Sequence, residues 1–133
     1  MINGRDTDAV EAIRGITQGG ADFSIEATAS PTVLRQAVDC LAPMGVAGVI
    51  GAPAMGTEVT LDVNTILTAG RVVHGIVEGD SIPDVFLPRL ITLWQQGRFP
   101  VERIMTFYDF DEIEQAAHDA ESGSVVKAVL RMS

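Results

Sequence analysis

The residues best suited to holding a ligand are small ones at the ends of apolar runs. Gly45 to Pro53 reads Gly-Val-Ala-Gly-Val-Ile-Gly-Ala-Pro, with Val46, Val49 and Ile50 between glycines and a proline at the stop. A short β-branched run with such bounds predicts a buried strand of a parallel sheet. Gly51 and Ala52 at its downstream end leave room for a molecule to lie against the backbone. In open α/β sheets that carboxyl end is where ligands bind. The triplet Gly45-x-x-Gly48-x-x-Gly51 is not a phosphate-cradling fingerprint, because its spacing is wrong and its glycines lie within a strand. Neither G-x-G-x-x-G nor G-x-x-x-x-G-K-S/T occurs in the chain. On pattern alone, Gly51-Ala52-Pro53 reads first as a strand-to-loop turn, and Ala27-Thr28-Ala29-Ser30 as a turn into a helix capped by Ser30.

The polar candidates are sparse. His74 lies within an apolar strand and His118 on the polar side of a helix, neither at ligand spacing from a Cys or another His. Cys40, the single cysteine, excludes an internal disulfide and a Cys-cluster zinc site. On a helix it reads as a small, inert hydrophobe. Glu78-Gly79-Asp80-Ser81 and the Asp111-Glu112-Glu114 group offer carboxylates. The simpler reading makes Ser81 a helix cap and the acids partners of a helix's first turn. Lys127, flanked by Val125, Val126, Val129 and Leu130, reads as a solvated lysine able to reach a phosphate.

Composition narrows the partners. The 133 residues are 47% hydrophobic and 20% charged, enough for one folded domain with a core. A net charge of −9, with nine scattered Lys and Arg, argues against nucleic acid or an anionic membrane as partner. With no signal-peptide pattern and no long apolar span, a cytoplasmic protein is expected.

The elements that must position these residues follow in order. Thr7 to Gln18 predicts a helix with Val10, Ile13 and Ile16 inward, Thr7 or Asp8 as cap and Gly19-Gly20 as the left-handed stop. Asp22 to Ala27 alternates as a strand. Ser30-Pro31 opens a helix burying Val33, Leu34, Ala37, Val38 and Leu41 and ending at Pro43 and Gly45, where the organising strand begins. Val59 to Val63 and Arg71 to Val77 read as extended. Phe86, Leu87, Leu90, Ile91, Leu93 and Trp94 form a helical stripe ending at Gly97, with Pro88 separating or kinking its first turn. Ile104 to Phe107 is a short strand. Asp109-x-x-Glu112 reads as a capping box before a helix with Ile113, Ala116, Ala117 and Ala120 inward. That helix stops at Gly123, and Val125 to Leu130 is a last strand. Helix-strand alternation with short connections predicts a parallel α/β sheet, with a boundary near Val77/Glu78.

Three stretches carry a family resemblance: Phe23-Ser24-Ile25-Glu26-Ala27, Gly48-Val49-Ile50-Gly51-Ala52-Pro53, and Gly75-Ile76-Val77-Glu78-Gly79-Asp80-Ser81-Ile82-Pro83. Together they resemble the C-terminal part of zinc-dependent medium-chain alcohol dehydrogenases. Leu93-Trp94-Gln95-Gln96-Gly97-Arg98-Phe99-Pro100 and Tyr108-Asp109-Phe110-Asp111-Glu112-Ile113 are most similar to the aryl-alcohol (benzyl-alcohol) branch. The likeness runs in order along essentially the whole chain.

The resemblance implies the C-terminal half of a Rossmann, doubly wound parallel sheet over residues 1–77. Residues 78–133 would be the C-terminal return segment of the GroES-like catalytic domain. The chain would begin inside the Rossmann domain, after three strands. The glycine fingerprint, the ribose-binding acid, the ligands of both zinc sites and the proton relay would then lie elsewhere in a parent enzyme.

Carried over by position, Ala27 and Thr28 would face the adenosine side of NAD, and NADP is equally compatible. Ile50, Gly51 and Ala52 would line the nicotinamide side, with backbone groups of Ile50, Ile76 and Glu78 near the carboxamide. Glu78 is acidic where many alcohol dehydrogenases carry an aromatic residue. Lys127 would stand against the pyrophosphate, with charge but without an arginine's fork. The parent would transfer a hydride between a small alcohol or aldehyde and the cofactor, with zinc polarising the oxygen. This chain alone would hold no zinc or catalytic residue and would be inactive.

A strand that has lost its neighbour leaves a raw edge at Phe23 to Ala27. The Arg71 to Val77 edge resembles the strand through which family members pair. Homo-oligomerisation through such edges is therefore expected. The alternatives are a zinc-free quinone oxidoreductase relative and a non-catalytic α/β interaction module.

Overall fold

The computed structural model describes residues 1–132. Asp8 accepts a hydrogen bond from the Glu11 amide at 3.0 Å and opens α1 (Ala9–Thr17). The left-handed stop is Gln18, at φ 55°, and not the glycine pair after it. Gly20 serves another need, since a Cβ there would lie 2.4 Å from the Ala42 nitrogen. The chain then runs through β1 (Ala21–Glu26), α2 (Pro31–Asp39) and β2 (Leu41–Val49). It continues through α3 (Val63–Ala69) and β3 (Val72–Gly75). The three strands form one parallel sheet in the order β1-β2-β3, as the helix-strand rhythm predicts.

Two departures have local causes. Leu41 was expected on the buried face of α2, and it instead begins β2, fully buried. Pro43, Met44 and Gly45 lie inside that strand as a bulge: Ala21 pairs with Leu41, yet Phe23 already pairs with Val46. Pro43 has no N–H to give the ladder and Met44 turns through φ 64°, so the break is local and pairing resumes. Extended chain does not continue to Val63 either. Asp62 accepts from the amides of Asn64 (2.9 Å) and Thr65 (3.2 Å), starting α3, and Gly70 at φ 61° ends it.

The core is small. Val38 of α2 packs with Leu41 and Ala47 of β2, and Leu34, Leu61 and Ile66 close around them. Ser24 on β1 donates its hydroxyl to the Ala37 carbonyl at 2.8 Å, fixing α2 on the sheet. Cys40 at the end of α2 is buried, its Sγ donating to the Ala37 carbonyl at 3.3 Å. Burial pushes the thiol above its usual range, as expected for an inert position.

Contacts divide the chain into two compact units, Met1–Asp80 and a second from Ser81 onward. The second unit holds α4 (Pro83–Gln95), β4 (Met105–Asp109), α5 (Ile113–Ser122) and β5 (Lys127–Arg131). Pro83 stands in the first turn of α4, and Pro88 sits inside a single helix instead of separating its first turn. Pro88 cannot donate to the Asp84 carbonyl, so the helix continues past one missing intrahelical bond. Ile82, not Ser81, holds the cap position of α4. The Asp109–Glu112 capping box is present, opening a 3₁₀ turn that leads into α5. β4 and β5 pair in parallel across α5. Of the four residues expected inward on α5, only Ala116 is buried.

Candidate functional site

Because the strands of the first unit are parallel and adjacent, their carboxyl ends fall side by side. β1 delivers Ala27 and Thr28, β2 delivers Ile50, Gly51 and Ala52, and β3 delivers Ile76 and Glu78. Main-chain bonds carry the pairing past the strand ends. Ile50 and Gly51 donate to the Glu26 carbonyl at 2.9 and 3.1 Å, and Ile76 donates to the Val49 carbonyl at 2.9 Å. Ala27, Thr28, Ile50, Ala52 and Glu78 are exposed, while Gly51 and Ile76 are half-buried. Seven of the eight predicted site residues thus share one edge of one sheet. Lys127, exposed at the start of β5, belongs to the second unit.

The glycines here serve the chain's own packing. A Cβ on Gly51 would lie 2.4 Å from the Ala29 nitrogen and 2.5 Å from Glu26 Oε2, so the space beside its α-carbon is already filled. Gly48 makes room for Ile76 in the same way, with Cδ1 at 2.9 Å from where a Cβ would stand. After Ile76 the chain turns sharply: Glu78, Gly79 and Asp80 all have left-handed φ, at 51°, 67° and 53°. Two non-glycine residues in that region mark a constrained turn at the end of β3.

Sequence reading missed one residue here. Glu26 is 1% exposed at the end of β1. Its Oε1 accepts from the Thr28 hydroxyl at 2.6 Å and from the Thr28 amide. The Thr28 hydroxyl, above all, holds the carboxyl below the usual glutamate range; the amides of Thr28, Ser30 and Ala29 add to this, against the opposing pull of desolvation. The only sequence signal was an acid closing an apolar strand two residues before a threonine. Glu26, Ser30, Leu34, Gly51, Pro53 and Glu58 line a cavity of about 50 Å³. That is space for a few water molecules, far below the volume of a cofactor pocket.

Neither histidine joins the site: His74 and His118 are both exposed. Ser30 holds the cap position of α2 without a side-chain hydrogen bond to the helix. Among the described residues no three His, Cys, Asp or Glu side chains stand together as a metal site.

Parallel strands joined by helices, with small residues where their carboxyl ends meet, define the C-terminal half of a Rossmann-like, doubly wound parallel sheet. Residues 1–93 match the zinc-binding dehydrogenase family, and the chain belongs to that family. It is 37% identical over 123 residues to geraniol dehydrogenase from Castellaniella defragrans, covering 92% of this chain and 33% of that protein. The crystal structure of benzyl alcohol dehydrogenase from Acinetobacter calcoaceticus superposes with a TM-score of 0.89 at 44% identity, over 99% of this chain and 36% of that one. An alcohol dehydrogenase zinc-binding domain protein from Burkholderia ambifaria gives 0.88 at 48% identity, with the same coverage. The chain therefore spans about a third of the length of the relatives it matches. The family expectation and the parallel α/β fold are both borne out.

Proposed function

We propose that this chain forms one wall of the nicotinamide-cofactor cleft in an NAD- or NADP-dependent zinc alcohol dehydrogenase. The observation that carries it is the convergence of three adjacent strand ends on one open edge, in a chain of the zinc-binding dehydrogenase family. Residues 1–77 act as the C-terminal half of the Rossmann domain and 78–133 as the return segment of the catalytic domain.

On this reading Ala27 and Thr28 contact the adenosine half and Ile50, Gly51 and Ala52 flank the nicotinamide. The N–H groups of Ile50 and Ile76 are engaged within the sheet, so their main-chain contribution comes from carbonyl oxygens. A carboxamide NH₂, a pure donor, suits such acceptors. Glu78 adds a backbone contact at the turn, and Lys127 supplies positive charge for the pyrophosphate.

When bound, the nicotinamide carries the hydride and zinc polarises the alcohol oxygen. No cluster among the described residues fits zinc, so its ligands are assigned to other parts of the parent protein. This chain's share is orientation. Geraniol and benzyl alcohol, the substrates in two relatives' names, are both primary alcohols beside an unsaturated carbon. An alcohol of that kind is the proposed substrate class, and the chain alone is inactive. A cytoplasmic setting is proposed, and separately no helix among the described residues is long and apolar enough to cross a membrane.

Both sheet edges also suit self-association. On β1, Phe23 and Ile25 are 77% and 68% exposed, and β3 exposes Val72 and Val73 on the opposite flank.

The test is an NADH titration of the ¹⁵N-labelled chain. Amide shifts confined to Thr28, Ile50–Ala52 and Ile76–Glu78, joined by Lys127, are the expected result, with weak affinity. Saturating NADH that moves none of them, or moves another face, would sink the proposal.

A further inference from the structure

Glu26 has no part in the reading above, yet it is the most thoroughly buried charged residue of the first unit. It touches both turns that form the wall. Its side chain accepts from the amide and hydroxyl of Thr28, holding the 27–30 turn. Its own carbonyl accepts from Ile50 and Gly51, holding the 50–52 turn. A Cβ on Gly51 would stand 2.5 Å from Oε2, so the carboxylate leaves no room there for a methyl group. A buried carboxylate is costly unless its oxygens are satisfied, and a satisfied one is a rigid joint.

We propose that Glu26 is a positioning residue that clamps the adenosine-side turn to the nicotinamide-side turn, through Thr28 on one flank and Gly51 on the other. Ionisation strengthens the side-chain half of the clamp, because a neutral acid accepts more weakly from the Thr28 amide and hydroxyl and would place its proton on an oxygen facing Thr28 or Gly51. Glu58 faces the same cavity from the segment after β2, and it is the other titratable group lining it. Arg35 on α2 is turned away, paired to Asp39 and to the Thr60 carbonyl. The naming of the two turns rests on the cofactor reading, whereas the clamp itself does not require it.

The experiment follows amide resonances of the full chain from neutral pH down to about pH 3. Thr28 and Gly51 should shift together at one midpoint below the ordinary glutamate value of about 4.3. Glu26→Gln should abolish that shared transition while keeping both amides protected, since the carboxamide oxygen still accepts from Thr28 and the main-chain carbonyl still accepts from Gly51. Glu58→Gln should leave the transition in place. Glu26→Ala should speed hydrogen exchange at Thr28 by about tenfold or more, with a smaller rise at Gly51, which keeps its main-chain bond but loses the carboxylate packed beside it. Should that variant not fold, the wild-type and glutamine titrations decide alone. A Thr28 transition that Gly51 does not share, or one that survives in Glu26→Gln, overturns the clamp. If NADH moves neither turn while the shared transition is seen, the cofactor reading fails and the clamp stands. If NADH moves both turns while Gly51 ignores the Thr28 transition, the clamp fails and the reading stands.

Discussion

Arg71 Nη2 donates to the Leu41 carbonyl at 2.6 Å, joining the start of β3 to the start of β2. Pairing between those strands begins only at Val46 and Val72, so the guanidinium spans the gap left by the Pro43–Gly45 bulge. It is buried at 9% exposure, and its Nε has no partner among the described residues.

Removing that donor while keeping the volume should therefore cost stability. Arg71→Met leaves the Leu41 carbonyl unsatisfied, and the expected loss in urea denaturation is about 1–3 kcal/mol. A change below roughly 0.5 kcal/mol would show that desolvating the arginine already cancels its bond.

Gly51 and Gly15 should respond in opposite directions to the same methyl group. Gly51→Ala drives a Cβ into Ala29 and Glu26, and a destabilisation of about 1–3 kcal/mol is expected. Gly15 lies inside α1 with nothing within 4 Å of an added Cβ. Gly15→Ala should raise stability by about 0.5–1 kcal/mol through helix propensity alone. Chemical denaturation of the two variants side by side checks both signs.

Acid should weaken the second unit through one identifiable pair. Tyr108 donates to Asp119 Oδ2 at 2.8 Å. That bond is the main cause holding the aspartate below its usual range, with Gln115, Ser124 and His118 adding to it against desolvation. The same bond, foremost, raises the Tyr108 hydroxyl. A depressed acid contributes stability above its unfolded pKa of about 3.9, and loses it as pH falls through the lower folded value. The raised tyrosine contributes below about pH 10 and loses that as pH rises through its folded value. Tyr108→Phe should flatten both limbs of a plot of melting temperature against pH. Unchanged limbs would assign the dependence to other groups.

Charge on the exposed strand should disperse any assembly built on it. Phe23→Lys with Ile25→Lys places two ammonium groups on the β1 edge, which should shift sedimentation toward monomer at a fixed concentration. An unchanged distribution, or a wild-type chain already monomeric at high concentration, would remove β1 as a contact.

Much of the architecture was legible because it rests on local rules. Asp8 before an apolar period, Pro31 in a first turn, the Asp109–Glu112 box and Gly123 as a left-handed stop all appear as the pattern demands. The errors lie where a distant partner outweighed the local signal. Leu41 fits the apolar face of α2, but it reaches full burial only as the first residue of β2. The Asp62 cap and Gly70 stop of α3 were signals of the ordinary kind, overlooked because Val59 to Val63 reads so strongly as extended.

By itself, the order of residues determined the parallel α/β rhythm, the family likeness and the turns proposed as a cofactor wall, because periodicity, caps and small-residue punctuation act within a few positions of one another. Only the tertiary structure decided that Glu26 is a buried joint and that Gly51 is small for the sake of Ala29 and the Glu26 carboxylate. Those facts depend on β1 and β2 lying side by side across some twenty-five residues of chain, a distance over which sequence spacing carries no geometric information.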